Sequence, residues 1–446
     1  MPNPACLVPF LFSIPETQFS VPEESTIELS IIITQSAAGI EALQRLLGQI
    51  PRACARLPEG TRWEVLICSP NANPDSLATL AKESGATALP YTAGYGAALA
   101  AAVAAARGRF ILTMQPGLAH SPFIIPKLYA HRHEADVIIA SRLIGTGYSK
   151  VNPVRRFLTW LGNKVFSRIL DLPVRDLTSD YRLYNRRVFA EAPVASKGFD
   201  ALLETLVKAY ARGFHLMEIP FHYFPLEHSV TSNFLQVASS TFRELFALWR
   251  LRNGIECADY DERAFRSRVW FQRSWQRRRY NALVRMAREC ATILDVGCGS
   301  SQVLEGLPQA DACDIRMNKL RYKREPGRLM VHASVFDLPF PTNSYDAVIF
   351  SQVIEHLPRD PRILQEIIRT TKPGGYVIVG TPDYATWWTT IERIYGFVHP
   401  DGYADEHITH YTFETLKQEV ESYGCTFLEH AYVWHAELIM KFRKNP

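Results

Sequence analysis

Residues 291–301 read Ala-Thr-Ile-Leu-Asp-Val-Gly-Cys-Gly-Ser-Ser. ATILDV is an apolar run of strand type that empties directly into two glycines and two serines. A strand ending in small residues lets the backbone come close to a bound cofactor. SQVLEGL follows as a short helix opened by serines. The next strand, ADACDI, ends on Asp314, about twenty residues after Asp295, where an acid can accept both hydroxyls of a ribose. The loop is not G-x-G-x-x-G, because the third glycine is missing. A dinucleotide needs that tight pyrophosphate cradle, so the looser loop favours S-adenosylmethionine over NAD.

Around this stretch lies a chain of 446 residues, too long for one ordinary core. Hydrophobic residues make up 47% and charged residues 21%, enough apolar material for two globular cores. A net charge of +4 does not by itself argue for nucleic acid, and no nucleic-acid partner is expected. No apolar run reaches the roughly 18 residues needed to span a bilayer. Residues 1–26 read as a flexible lead-in: their short apolar stretch is broken by prolines and lacks a basic flank. The eight cysteines include no CxxC pair, which suits a reducing cytoplasm and buried thiols.

From Glu28 strands alternate with helices: ELSIIIT, IEALQRLLGQI, WEVLICS, the alanine-rich Ala97–Arg107, FILTM and DVIIAS. Two helices and the strand FHLMEIPF follow. This is an α/β pattern with a largely parallel sheet, and it runs to about Asn253. The arginine-rich stretch DERAFRSRVWFQRSWQRRRYNALVRMA then precedes the second α/β pattern. The expected domains are residues 27–253 and 254–446. Phe234–Arg252 reads as an amphipathic helix, for packing or for a membrane surface. The arginine run is ordinarily a solvated basic face with an apolar underside.

In the second domain ILDVGCGS, ACDI, SVFDLPFPTNSYDAVIFSQVIEHL and TTKPGGYVIV resemble the successive motifs of class I methyltransferases, best those similar to ubiquinone and sugar methyltransferases. The resemblance implies a Rossmann-like class I methyltransferase domain using S-adenosylmethionine. It implies that Asp295, Gly297 and Gly299 line the methionine end and Asp314 holds the ribose. Ser334, Val335 and Phe336 would border the adenine, with Ser334 standing where the family often has aspartate. Ser351 and Gln352 would close the floor near the sulfonium. Methyl transfer requires in-line placement and often a general base. Glu355, His356, His407 and His410 are the candidates, each with a structural role as its ordinary alternative. His407 and His410 mimic a metal pair, yet no further ligand is apparent and no metal is expected. Trp387 and Trp388 suggest a lid, a core contact or an oligomer face.

The first domain resembles family-2 glycosyltransferases of the GT-A fold, nearest to dolichol-phosphate mannose synthases. The matching pieces are ELSIIIT, GYGAALAAAVAAARGRFIL, VIIASR, LPVRDLTSDYRLYNRRVF and ARGFHLMEIPF. Of the conserved-type motif DLTSDYR, Asp176, Ser179 and Arg182 remain. The departures fall on anion and metal contacts. Ser69-Pro70 replaces acids after the second strand, and Gln115-Pro116-Gly117 replaces the Asp-x-Asp that would hold a divalent cation. Tyr95 replaces a lysine between glycines. Leu226–Ser232 lacks the basic phosphate binders. The expectation is a GT-A-like nucleotide-diphospho-sugar transferase domain with a degenerate donor site.

Together these readings predict O-methylation of a sugar, glycolipid or polyprenyl-linked intermediate. The partners expected are a small-molecule or lipid-linked saccharide acceptor and a peripheral contact at the inner membrane face of a cytoplasmic protein. Two alternatives stay open: a bifunctional enzyme with metal-independent sugar transfer, and a non-catalytic S-adenosylmethionine-binding scaffold.

Overall fold

The computed structural model describes residues 26–34, 40–68, 74–89, 94–115, 119–224, 244–398 and 407–446. The chain divides into two compact units, Met1–Tyr210 with Phe214–Arg252, and Ala211–Gly213 with Asn253–Pro446.

The first unit is built on strands β1 (Leu29–Thr34), β2 (Trp63–Cys68), β3 (Thr87–Ala88), β4 (Phe110–Met114), β5 (Val137–Ser141), β7 (Arg182–Asn185) and β8 (Leu216–Pro220). A short pair, β6 (Tyr148–Ser149) and β9 (His222–Tyr223), lies apart. The seven-stranded order is β3-β2-β1-β4-β7-β5-β8, parallel except that β7 runs against both β4 and β5. The alternation of strand side chains makes two cores. Leu29, Ile31 and Ile33 pack with the helices α1 (Ile40–Cys54), α2 (Pro74–Ser84) and α4 (Ile125–Ala130). Ile32 packs on the opposite face with α3 (Tyr95–Ala105) and α7 (Ala201–Ala211). Strand β7 is absent from the sequence reading: it begins inside DLTSDYR, where charges and turn formers mask a four-residue strand.

Helix α5 (Pro153–Ile169) departs from the amphipathic rule. Its single buried residue is Asn163, while Val154, Phe157, Trp160, Leu161, Val165 and Ile169 are exposed. Asn163 acts as a polar hook: its Oδ1 accepts from Leu177 N at 2.7 Å and its Nδ2 donates to Thr159 O at 2.8 Å. After α6 (Arg187–Glu191) and α7, helix α8 covers 244–253. Of the amphipathic face expected there, Phe234, Ala238 and Phe242 lie outside the described residues. Leu245 packs on the core, and Phe246 stacks on Trp249 at 6.2 Å on the exposed side.

The second unit opens with α9 (Tyr260–Phe265) and α10 (Trp270–Ala287). Its sheet contains β10 (Ile293–Val296), β11 (Ala310–Asp314), β12 (Met330–His332), β13 (Tyr345–Ser351), β14 (Thr371–Pro382), β15 (Cys425–Val433) and β16 (Glu437–Lys444). The order is β12-β11-β10-β13-β14-β16-β15, parallel from β12 to β14 and closed by the antiparallel β16 and β15. The chain winds outward from β10 to β12 and then returns to β13 beside β10. Ligands bind at such a reversal, beyond the carboxyl ends of the strands. Helices α11 (Val303–Gly306), α12 (Met317–Lys323), α13 (Pro361–Thr370), α14 (Trp388–Val398) and α15 (Phe413–Ser422) complete the layers. Thr412 caps α15 through Thr415. Helix α11 is only one turn, shorter than SQVLEGL implies.

Among the described residues no helix is long and apolar enough to cross a membrane. The seven described cysteines are buried and form no disulfide with one another.

Candidate active site

The reversal in the second sheet places Asp295 at the end of β10, Asp314 at the end of β11 and Ser351 at the end of β13. Strand β10 leaves its layer through Gly297 at φ +72° and Gly299 at φ +55°. Both angles disfavour a side chain. A Cβ on Gly297 would lie 2.3 Å from Val353 Cγ2, and one on Gly299 would lie 2.8 Å from Asp261 Oδ2. The turn is tied down by Gly299 N, which donates to Asp314 Oδ2 at 2.8 Å, while Arg316 N donates to Asp314 Oδ1 at 2.7 Å. Asp314 therefore shapes the loop as well as facing its ligand end. Each carboxylate oxygen keeps acceptor capacity beyond one backbone bond.

Burial and the nearby Asp314 carboxylate push the Asp295 carboxyl up to about 7, with Arg328 opposing. A carboxyl held this way suits a ligand that brings its own positive charge. Asp261 of α9 is a site residue that sequence reasoning missed. Its Oδ2 accepts from Ser300 N and Ser300 Oγ, both at 2.9 Å, and pairs with Lys319 at 3.2 Å. Burial opposes ionisation, but Lys319 and the Ser300 N–H hold its carboxyl well below the usual range. No local signal marks this residue, because it reaches the loop from the preceding helix.

On the adenine side Val335 is buried, and Ser334 Oγ accepts from Phe336 N at 3.3 Å. Arg362 lies 5.2 Å from the Phe336 ring centre. Gln352 adopts φ +61° just past β13. Ser351 Oγ and Gln352 Nε2 are buried without hydrogen-bond partners. Unfilled polar atoms beside a glycine turn fit a ligand that supplies their partners.

Beyond Gln352 the chain makes a tight turn, Ile354–His356. The Glu355 carbonyl accepts from Ile408 N at 2.8 Å and Thr409 N at 3.0 Å, which fastens the 407–410 segment to this turn. His407 consequently faces Glu355 and His356; one ligating atom from each of the three lies within 4.8 Å of the others. His410 goes elsewhere: it is exposed and stacks on Tyr384 at 4.0 Å. His407 and His410 therefore do not act as a pair; His407 instead joins Glu355 and His356, which lie about 50 positions earlier in the sequence.

Glu355 is fully buried and neither carboxylate oxygen has a hydrogen-bond partner. Burial pushes its carboxyl up to about 8. His407 Nδ1 lies 3.1 Å from Glu392 Oε1 and 2.8 Å from Tyr384 Oη, and Tyr384 donates to Glu392 at 2.8 Å. Burial lowers the His407 pKa against the pull of Glu392. Neither Glu392 nor Tyr384 is marked by any sequence motif.

The arginine run is not wholly a solvated face. Arg279 turns inward and clamps Glu437 through Nε and an Nη, both at 2.6 Å. Trp275 Nε1 donates to the same carboxylate at 2.5 Å, and an Arg279 Nη donates to Gln352 Oε1 at 3.2 Å. Trp388 packs 5.9 Å from Trp275 and 5.9 Å from His407. Trp387 is partly exposed and donates to Trp434 O.

In the first unit Asp176, Ser179 and Arg182 are buried and internally engaged. Asp176 accepts from Arg142 N, Nε and Nη2 at 2.7–2.9 Å and from Ser179 N at 3.0 Å. Arg142 holds its carboxyl below the usual range despite burial. Ser179 Oγ donates to Ala140 O, and Arg182 donates to the carbonyls of Leu177 and Leu202. Tyr95 is buried and stacks on Phe199 at 5.1 Å. Gln115 N donates to His120 Nδ1. Ser69, Pro70, Pro116, Gly117 and Leu226–Ser232 lie outside the described residues.

Residues 294–379 match the family described as a methyltransferase domain. A probable S-adenosylmethionine-dependent methyltransferase of Mycolicibacterium smegmatis is 31% identical over 124 residues, 25% of this chain and 47% of that protein. The chain spans about half the length of this curated relative. A solved S-adenosylmethionine-dependent methyltransferase from Thermotoga maritima is 19% identical, covering 41% of this chain and 94% of that one, with a TM-score of 0.33. Glucosyl-3-phosphoglycerate synthase from Mycobacterium tuberculosis is 16% identical, covering 51% of this chain and 79% of that one, with a TM-score of 0.38. The likeness to methyltransferase domains thus falls on residues 294–379, within the second unit.

Proposed function

We propose that the second unit methylates an oxygen of a sugar, glycolipid or polyprenyl-linked intermediate, and that the first unit is a glycosyltransferase-like module that docks without transferring sugar. The donor turn carries the methyltransferase reading. Its two left-handed glycines, the Asp314 tether and the buried Asp295 form one cradle at the sheet reversal. S-adenosylmethionine supplies an electrophilic methyl group on a sulfonium. The chain would hold that donor with Asp295, Gly297 and Gly299 at the methionine end, Asp314 at the ribose, and Ser334, Val335 and Phe336 at the adenine. Ser351 and Gln352 would bound the floor, and Trp388 stacks on His407 at 5.9 Å. Glu355, His356 and His407 then face the acceptor.

Support for a docking role comes from the engaged state of Asp176, Ser179 and Arg182 and from Gln115 and Tyr95, neither of which offers charge to a diphosphate. A peripheral membrane contact is supported by α5. Its apolar residues are exposed beside Arg155, Arg156, Lys164 and Arg168, a pattern suited to an anionic lipid surface.

The test is methyl transfer from tritiated S-adenosylmethionine into a host extract, followed by partition between organic and aqueous phases. Label in the organic phase supports the lipid-linked acceptor. Label only in water supports a soluble sugar and removes the membrane role. No label in either phase, with donor still bound, returns the scaffold. Sugar-nucleotide turnover by the same protein would contradict the docking role. Phe157→Glu with Trp160→Glu should abolish sedimentation with anionic vesicles, and unchanged sedimentation would remove α5 from the membrane contact.

A further inference from the structure

We propose that Glu355, His356 and His407 bind a divalent first-row transition cation on the acceptor side of the methyl-transfer site. One ligating atom of each lies within 4.8 Å of the other two. Ligand bonds of about 2.1 Å place neighbouring donor atoms roughly 3.0–3.4 Å apart, so side-chain rotation of about an ångström closes the shell.

Two further observations point to a cation. Glu355 is fully buried, and both carboxylate oxygens lack hydrogen-bond partners. A buried carboxylate without partners is costly unless a ligand completes it. Arg279, the nearby cation, is held bidentate by Glu437. The second observation is the far side of His407. Its Nδ1 faces Glu392 at 3.1 Å and Tyr384 at 2.8 Å, while Tyr384 donates its own proton to Glu392. That arrangement places the imidazole proton on Nδ1 and leaves the Nε2 lone pair for a metal. A carboxylate behind a ligating histidine is the usual outer support of such sites.

Two imidazoles and one carboxylate select zinc, cobalt, manganese or iron(II) over magnesium or calcium, which prefer all-oxygen shells. Three protein ligands leave open positions. A hydroxyl of the acceptor placed there becomes more acidic. Its proton leaves to solvent, its oxygen forms the bond to the methyl carbon, and the broken sulfur–carbon pair stays on sulfur. This role rests on the methyl-transfer reading, whereas cation binding itself rests on the side-chain geometry alone.

The experiment is a cobalt(II) titration of the full chain followed by visible absorption, with S-adenosylmethionine binding measured calorimetrically on the same samples. One saturating equivalent is expected, with a ligand-field band. Affinity should fall more than about 10-fold in Glu355→Gln and in His407→Ala, and about 10-fold in Glu392→Gln. Donor binding should change less than about twofold in all three, which also shows that they fold. Absence of a saturating band, or equal cobalt affinity in wild type and variants, overturns the site. Displacement of cobalt by equimolar magnesium overturns the ion class. Cobalt binding as expected without donor binding leaves the cation site standing and removes the methyl-transfer reading.

Discussion

Asp176 in the first unit and Glu355 in the second are both fully buried carboxylates, and their surroundings are opposite. Asp176 receives three donors from Arg142 and one from Ser179. Glu355 receives none of ordinary length, only weaker contacts from its own backbone N–H and the Thr381 hydroxyl. The same contrast extends outward. The remaining groups of the DLTSDYR loop are tied to it or to its neighbours: Asn163 to Leu177, Glu218 to the Arg175 and Asp176 amides, and Arg182 to Leu177. Around Glu355, Ser351 and Gln352 also carry unfilled polar atoms. A buried polar group that is internally satisfied stabilises a loop; one left open is costly until something outside the chain completes it. The first unit is not free of such atoms, since Tyr95 Oη and Asp180 Oδ2 are also unpartnered. Arg142 and Arg182 spend their Nη donors internally, although Arg182 Nε is unpartnered as well.

Breaking the closed side should have the largest effect. Asp176→Ala leaves the Arg142 guanidinium largely buried without its counterion, and the first unit should lose about 3–5 kcal/mol in denaturant unfolding. Affinity for S-adenosylmethionine should stay within about twofold. A loss below about 1 kcal/mol would show that the loop is not held by this pair and would reopen Asp176 as a ligand-facing residue.

Next comes the donor turn. Gly297→Val must place a Cβ where Val353 already stands, at a backbone angle that β-branched residues avoid. Donor affinity should fall by about 100-fold or more in calorimetry. An unaltered affinity would mean that the backbone at Gly297 does not approach the donor.

A third prediction sharpens the electrostatic half of the comparison. The Asp295 carboxyl titrates at about 7 in the folded chain against 3.8 for the free group. Between those values the folded state holds a proton that the unfolded state has lost. Its contribution therefore destabilises progressively as pH rises from about 4 to about 7, by up to about 1.4 kcal/mol per unit, and levels off above. Asp295→Asn should remove that slope and be more stable than wild type at pH 8 without donor. Parallel stability curves for the two proteins from pH 4 to 8 would contradict the buried carboxyl.

Much of this was legible in the sequence where chemistry and local structure coincide. The donor turn was readable because Asp295, Gly297, Gly299 and Asp314 follow strand ends at regular spacing. Thr412 was readable as a cap because capping is local. The acceptor side was not, because it is assembled by contacts that carry no periodicity. Glu355 is brought to His407 by its carbonyl, which binds the 408–409 backbone. Glu392 reaches His407 from inside α14, and Glu437 reaches Arg279 from β16. Strand β7 was hidden because its charged neighbours, Asp180 and Arg182, are buried by partners far away in sequence. The exposed apolar face of α5 was also missed, since a run such as RRFLTWLGNKVF ordinarily packs inward.

The most direct measurement is calorimetric titration of S-adenosylmethionine into the full chain and into Asp314→Ala. One site per chain with Kd of about 1–100 µM, weakened at least about 30-fold in the variant, is the predicted result. No binding by the wild type, or equal binding by both proteins, would contradict a methyl-donor site at the β10–β11 turn.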